Sequence, residues 1–189
     1  RHGRFYTDTF FSKVPSLGGH TMAQVYTNDI HFTKIFPLKR KSEAPDSLIQ
    51  FMQDVGIPSH LHSDDAKELV QGKMGEIMRK CWIKATQSEP YSPWQVRAEL
   101  CNREMKKAVR FTMANTKAPA RLWDFCALYH ADIRNFTAHP LFNLHGRTPY
   151  ELVVGQTPDI SEYTEFGWYD TVWYLDQEVP FPADKRKLA

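Results

Sequence analysis

The chain has 189 residues, 42% of them hydrophobic and 13% aromatic, enough to bury one sizeable core with a small appendage. Its formal charge of +2 is too mild to announce nucleic-acid binding by itself. Cys81, Cys101 and Cys126, odd in number and widely spaced, argue against a disulfide framework and a zinc site, and fit a reducing compartment. His60 and His62 lack a cysteine partner nearby, and no stretch approaches the roughly 18 apolar residues of a membrane span. No secretory signal is seen; the start at Arg1 and the charged tail Asp184 to Lys187 suit a piece of a longer polyprotein.

In chain order, Arg4 to Phe11 is rich in Phe, Tyr and Thr and closes on Pro15, Gly18 and Gly19, which predicts a strand carrying Asp8. Two more strands are expected at Ala23 to Thr27 and Phe32 to Leu38, joined by a tight hairpin at Asn28-Asp29. Ser42 is the expected cap of a helix through Leu48, Phe51, Met52 and Val55, which Gly56 and Pro58 stop. A short strand, Ser59 to Ser63, leads into Asp64 and Asp65. A helix over Gly72 to Cys81 and a strand over Trp82 to Thr86 complete the order βββαβαβ.

After a loop from Ser88 to Pro93, helices are predicted over Trp94 to Met113 and about Arg121 to Thr137, separated by Pro119. Beyond Pro140 the texture turns to Gly155 and Pro158 and then to aromatic, strand-like residues from Phe166 to Leu175. The expected fold class is α/β: an RNase H-like mixed five-stranded sheet flanked by helices over residues 1–139, with a turn-rich, partly β extension over 140–189.

In that topology the middle of the first strand lies beside the end of the fourth, making Asp8 and Asp64 neighbours. Adjacent carboxylates repel unless cations neutralise them, so such a pair suits a hard metal ion. Glu99, on a helix crossing the sheet edge, is positioned to add a third carboxylate and so complete a two-ion site. Asp65 is the alternative to Asp64, since adjacent strand residues face opposite sides; Glu89 and Glu104 are the alternatives to Glu99. The helix after Trp94 carries Arg97, Arg103, Lys106, Lys107 and Arg110. Arg103 and Lys106 share a face with Glu99, where cations grip phosphates, although a solvated charged helix has the same composition.

Three motifs, Phe5-Tyr6-Thr7-Asp8, His62-Ser63-Asp64-Asp65-Ala66-Lys67-Glu68-Leu69 and Pro90-Tyr91-Ser92-Pro93-Trp94-Gln95-Val96-Arg97-Ala98-Glu99, resemble the integrase motifs of Ty1/copia-type retrotransposons. The interval of 99 minus 64, equal to 35, resembles the D,D-35-E signature. His145-Gly146-Arg147-Thr148-Pro149-Tyr150-Glu151-Leu152, with Gly155 and Pro158-Asp159, is similar to the segment after the core in copia-type polyproteins. The sequence departs from the family at Val96-Arg97, where Asn-Gly is usual, and is one residue short before Glu99.

The resemblance implies an enzyme, a divalent-metal-dependent polynucleotidyl transferase and endonuclease. It would perform 3′-end processing and strand transfer with two Mg2+ or Mn2+ ions held by Asp8, Asp64 and Glu99. It also implies double-stranded DNA as partner, a homo-oligomer, no membrane, and action in a nucleus or virus-like particle. The rival enzymatic readings on this fold are a ribonuclease H and a Holliday-junction resolvase. The rival of a different class is a domesticated, inactive DNA-binding or assembly protein.

Overall fold

The computed structural model describes residues 2–63, 71–87, 95–141, 144–175, 178, 180 and 186–188. Five strands, β1 (His2–Phe11), β2 (Met22–Asn28), β3 (Thr33–Leu38), β4 (Pro58–Ser63) and β5 (Lys84–Gln87), form one sheet in the order β3-β2-β1-β4-β5. The β1–β2 and β2–β3 pairs are antiparallel, whereas β1–β4 and β4–β5 are parallel. Parallel neighbours need crossovers, and α1 (Ala44–Asp54) and α2 (Gly72–Lys80) supply them. The expected mixed sheet and its strand order are both present.

Period-two alternation along β1 and β2 divides the core. Phe5 and Tyr26 face α1 and α2, joining Leu48, Phe51, Leu61, Met74 and Met78. Tyr26 and Phe51 stack there with centroids 4.6 Å apart. Phe10, Ala23, Val25 and Ile35 face the other way, onto Cys101 and Met105 of α3 (Gln95–Thr116) and Trp123, Ala127 and Ala131 of α4 (Trp123–Phe136). The result is three layers, helices on both faces of a sheet. Among the described residues no helix is long and apolar enough to cross a membrane.

The edge strand β3 is fastened by one side chain. Asn135 accepts from the Thr33 N–H at 2.7 Å and donates to the Thr33 carbonyl at 2.7 Å, standing in for a neighbouring strand. A second fastening joins the β1–β2 loop to α4, where His20 Nδ1 lies 2.8 Å from Asp124 Oδ2 and 3.1 Å from Ser16 Oγ. Serine and aspartate meet the same ring nitrogen, and Ser16 and Asp124 are buried, so the cluster is a structural pin with no exposed nucleophile.

Four local expectations are corrected. Ser42 does not cap α1: the chain enters through a 3-10 turn, Lys41–Glu43, with Pro45 in the first helical turn and no side-chain cap. The hairpin at Asn28-Asp29 is wider than a two-residue turn: Asn28 N–H donates to the Phe32 carbonyl, Asn28 Oδ1 accepts from Ile30 and Phe32, and His31 takes φ +66°.

The strand expected from Trp82 begins instead at Lys84, because Trp82 ends α2 in the left-handed region, φ +55°. Most of Phe166 to Leu175 is not strand: only Trp173–Leu175 pairs, with Arg186–Leu188, as β6 and β7. The preceding segment forms two short helices, α5 (Pro149–Val154) and α6 (Ser161–Glu165). They dock on α4 through ring contacts of Phe136 with Tyr150 and Tyr163, and Tyr163 Oη donates to Asp132.

Candidate active site

Asp8 sits on β1, the central strand of the sheet, opposite Val25 in the antiparallel register. Its face of the sheet is the one α3 crosses, because Val25 and Phe10 on that side pack against Cys101 and Met105. Glu99 lies in the first turns of α3, and the two carboxylates line one open cleft of about 820 Å³ with Asn102, Arg103, Lys106, Lys107 and Arg110. Helical periodicity explains the company: positions three, four, seven, eight and eleven beyond Glu99 recur on one side of the helix. At 1.5 Å per residue, Glu99 to Arg110 is a basic rail of roughly 16 Å.

Asn102 is a residue the sequence reading missed. It is buried, and its Nδ2 donates to Asp8 Oδ2 at 2.5 Å, while the other Asp8 oxygen accepts from the Thr9 N–H at 2.7 Å. These bonds fix the carboxylate plane before any ligand arrives. Asn102 Oδ1 has no partner among the described residues. A buried acceptor without a partner is costly, and this one lies on the amide that holds the Asp8 carboxylate. The available signal was position: three residues past Glu99 is the same helical face.

Arg97 is not among the residues lining the cleft. Its guanidinium donates to the Asp29 carbonyl at 3.0 Å and lies 3.4 Å from the Asp29 carboxylate, tying α3 to the β2–β3 loop. Tyr6 Oη donates to the same carboxylate, and burial, followed by the Asp29 charge, holds its pKa above the ordinary value. Glu104 also turns away, bonded to Arg134 at 2.7 Å. Asp64, Asp65 and Glu89 lie outside the described residues, as does any group of three carboxylates they would complete; among the described residues no such cluster is present.

Thiol chemistry at Cys101 and Cys126 is disfavoured. Burial raises the Cys101 thiol pKa and pushes that of Cys126 up to about 12, leaving both protonated and inert at neutral pH. What the cleft offers is hard oxygen donors beside a row of cations, a donor set that fits magnesium or manganese and the phosphates of a polyanion.

No protein-family model and no curated protein matches the chain in sequence. Solved structures do resemble it in fold. A chain of the simian T-cell lymphotropic virus intasome, solved in complex with PP2A regulatory subunit B56 gamma, is 18% identical over 98% of this chain and 66% of that one, with a TM-score of 0.64. This chain thus spans just under two thirds of the length of that relative. The HTLV-2 integrase catalytic core domain in complex with magnesium, in its trimeric form, is 13% identical over 80% of this chain and 96% of its own, with a TM-score of 0.60. The BIV integrase catalytic core domain is 17% identical over 87% and 98%, with a TM-score of 0.56. The chain has the RNase H-like α/β fold of retroviral integrase catalytic cores.

Proposed function

We propose that the chain is the catalytic core of a retrotransposon integrase of Ty1/copia type, a polynucleotidyl transferase that trims the 3′ ends of element DNA and joins them to a target duplex. The observation that carries the reading is the meeting of Asp8 and Glu99, far apart in sequence, in one cleft walled by Arg103, Lys106, Lys107 and Arg110. Asp64 follows β4, whose register pairs His62 with Tyr6; each acid stands two positions beyond its member of that pair, which supports Asp64 as the third carboxylate. The subgroup rests on the three sequence motifs and the 35-residue interval between Asp64 and Glu99.

Asp8, Asp64 and Glu99 would hold two magnesium or manganese ions, and the magnesium in the HTLV-2 core domain supports that choice. Such ions supply Lewis acidity to the attacking and departing oxygens of a phosphodiester. The chain's own residues do the rest. The Asn102 amide and Thr9 N–H hold the Asp8 carboxylate in one orientation. The basic rail of α3 holds phosphates in line, first for cleavage by water and then for attack by the freed 3′-hydroxyl on the second duplex. No covalent enzyme intermediate is required. The trimeric and dimeric forms of the HTLV-2 core support a homo-oligomer.

Asp64→Asn is expected to abolish manganese-dependent nicking of an element-end duplex while the fold is kept, as judged by circular dichroism, and Asp65→Asn to leave most of it. Full activity of Asp64→Asn removes that residue from the site. A wild-type chain that binds DNA but never nicks it favours the domesticated, inactive alternative.

DNA affinity supplies a second test. Arg103→Ala and Lys106→Ala are each expected to weaken binding evenly across sequences and to reduce the slope of log affinity against log salt by about 0.9. Lys185→Ala, in the tail, is the comparison. An unchanged slope in the Arg103/Lys106 double variant makes α3 an ordinary solvated helix.

A further inference from the structure

Beyond the ridge made by Lys106 and Arg110 lies a second groove, of about 580 Å³, that the proposed reaction does not use. Its walls are the end of β1, the loop after it, and the helix–helix corner of α3 and α4. Phe10 and Trp123, both buried, form part of the lining with centroids 5.9 Å apart. The indole N–H is already committed to the Val14 carbonyl at 2.9 Å, so that part of the wall offers rings and no free donor from Trp123. Phe11, the last residue of β1, stands 60% exposed at the groove. The charged residues lining it are Lys13, Lys106 and Arg110, all basic. Lys106 Nζ lies 5.7 Å from the Phe10 ring centroid and lines both grooves.

We propose that this groove receives unpaired nucleotides at the end of a DNA strand, their bases stacking on Phe11 while their phosphates ride on Lys106 and Arg110. The inference rests on the integrase reading of the neighbouring cleft. An apolar floor with exposed aromatic surface and a cationic rim is what single-stranded nucleic acid binds, and stacking without committed donors tolerates any base. Charge complementarity excludes a basic partner, and the shared cations make one continuous track from the acidic cleft. Phe11 stands three residue steps beyond Asp8 along β1, about 10 Å at 3.3 Å per step, equal to roughly three base steps at 3.4 Å. The unpaired stretch therefore begins a few nucleotides from the reacting phosphate.

The test uses the full chain and two probes: a blunt element-end duplex, and the same duplex with an overhang of about five nucleotides containing 2-aminopurine. The wild type is expected to bind the overhang duplex more tightly and to change the 2-aminopurine emission. Phe11→Ala is expected to lose at least about fivefold on the overhang duplex, the lower end of what base–aromatic stacking contributes, and nothing on the blunt one. Phe11→Trp is expected to restore both signals.

Equal affinities of wild type and Phe11→Ala for the overhang duplex overturn the proposal. So does a change in sedimentation of Phe11→Ala without DNA, which assigns the groove to a second copy, or competition by an acidic peptide with no effect on the emission. Metal-dependent nicking of the blunt duplex separates the two readings. If it persists while the overhang signals fail, only the groove assignment falls. If wild type neither binds nor nicks either duplex, the integrase reading falls with it.

Discussion

Glu99→Gln is expected to lower strand joining on a branched DNA substrate with manganese by about a thousandfold or more, because the ions it is proposed to help hold would supply several kcal/mol of transition-state stabilisation. The competing carboxylates make the comparison informative. Glu104 is bonded to Arg134 and does not line the cleft, so Glu104→Gln should keep near-normal activity and lose about 1 kcal/mol of stability or less. Glu89→Gln should also remain active. Near-normal joining by Glu99→Gln, with loss in either of the others, would show that the third motif is aligned to the wrong acid.

The largest expected effect on stability lies on the opposite edge of the sheet. Asn135 and Thr33 are both buried, and Asn135→Ala strips partners from one backbone N–H and one carbonyl. Each such orphan costs about 1–3 kcal/mol, so the variant should lose about 2–6 kcal/mol, read as a lowered denaturant midpoint at unchanged slope. Asn135→Asp keeps the acceptor for the Thr33 N–H but cannot donate to the Thr33 carbonyl, and should also be destabilised. A loss under about 1 kcal/mol would mean that β3 is held by its pairing with β2 alone.

How much of this was legible in the sequence follows the physics of each element. The five-strand order was readable because β-branched and aromatic runs alternate with helical periodicity, and both signals are dictated by which faces are buried. The clustering of Glu99 with Arg103 and Lys106 was readable for the same reason: spacing along one helix determines a common face, which the structure extends to Lys107 and Arg110. Helix and strand ends were harder. Trp82 looks like a strand residue by propensity, but α2 needed a left-handed terminator there. Ser42 looks like a cap, but Pro45 and a 3-10 turn made one unnecessary.

The helix at Pro149 was hidden inside a segment that reads as turns, although Thr148-Pro149-Tyr150-Glu151 carries a capping box that the structure forms on both sides. Long-range polar pairings are not legible as pairs. Nothing local ties Asn102 to Asp8, Asn135 to Thr33, or Arg97 to Asp29, because each joins residues that only the tertiary fold brings together. Arg97 shows the consequence: grouped with the candidate DNA-binding cations because it lies on the same helix, it ties α3 to the β2–β3 loop.

The most direct measurement is an anomalous-scattering map from crystals of the full chain grown with manganese. The account predicts manganese bound in the cleft, with oxygens of Asp8, Asp64 and Glu99 at about 2.0–2.2 Å and Asn102 still bonded to Asp8, and loss of that density in Asp8→Asn. Manganese bound elsewhere, or a cleft that stays empty at saturating manganese with DNA present, would contradict it.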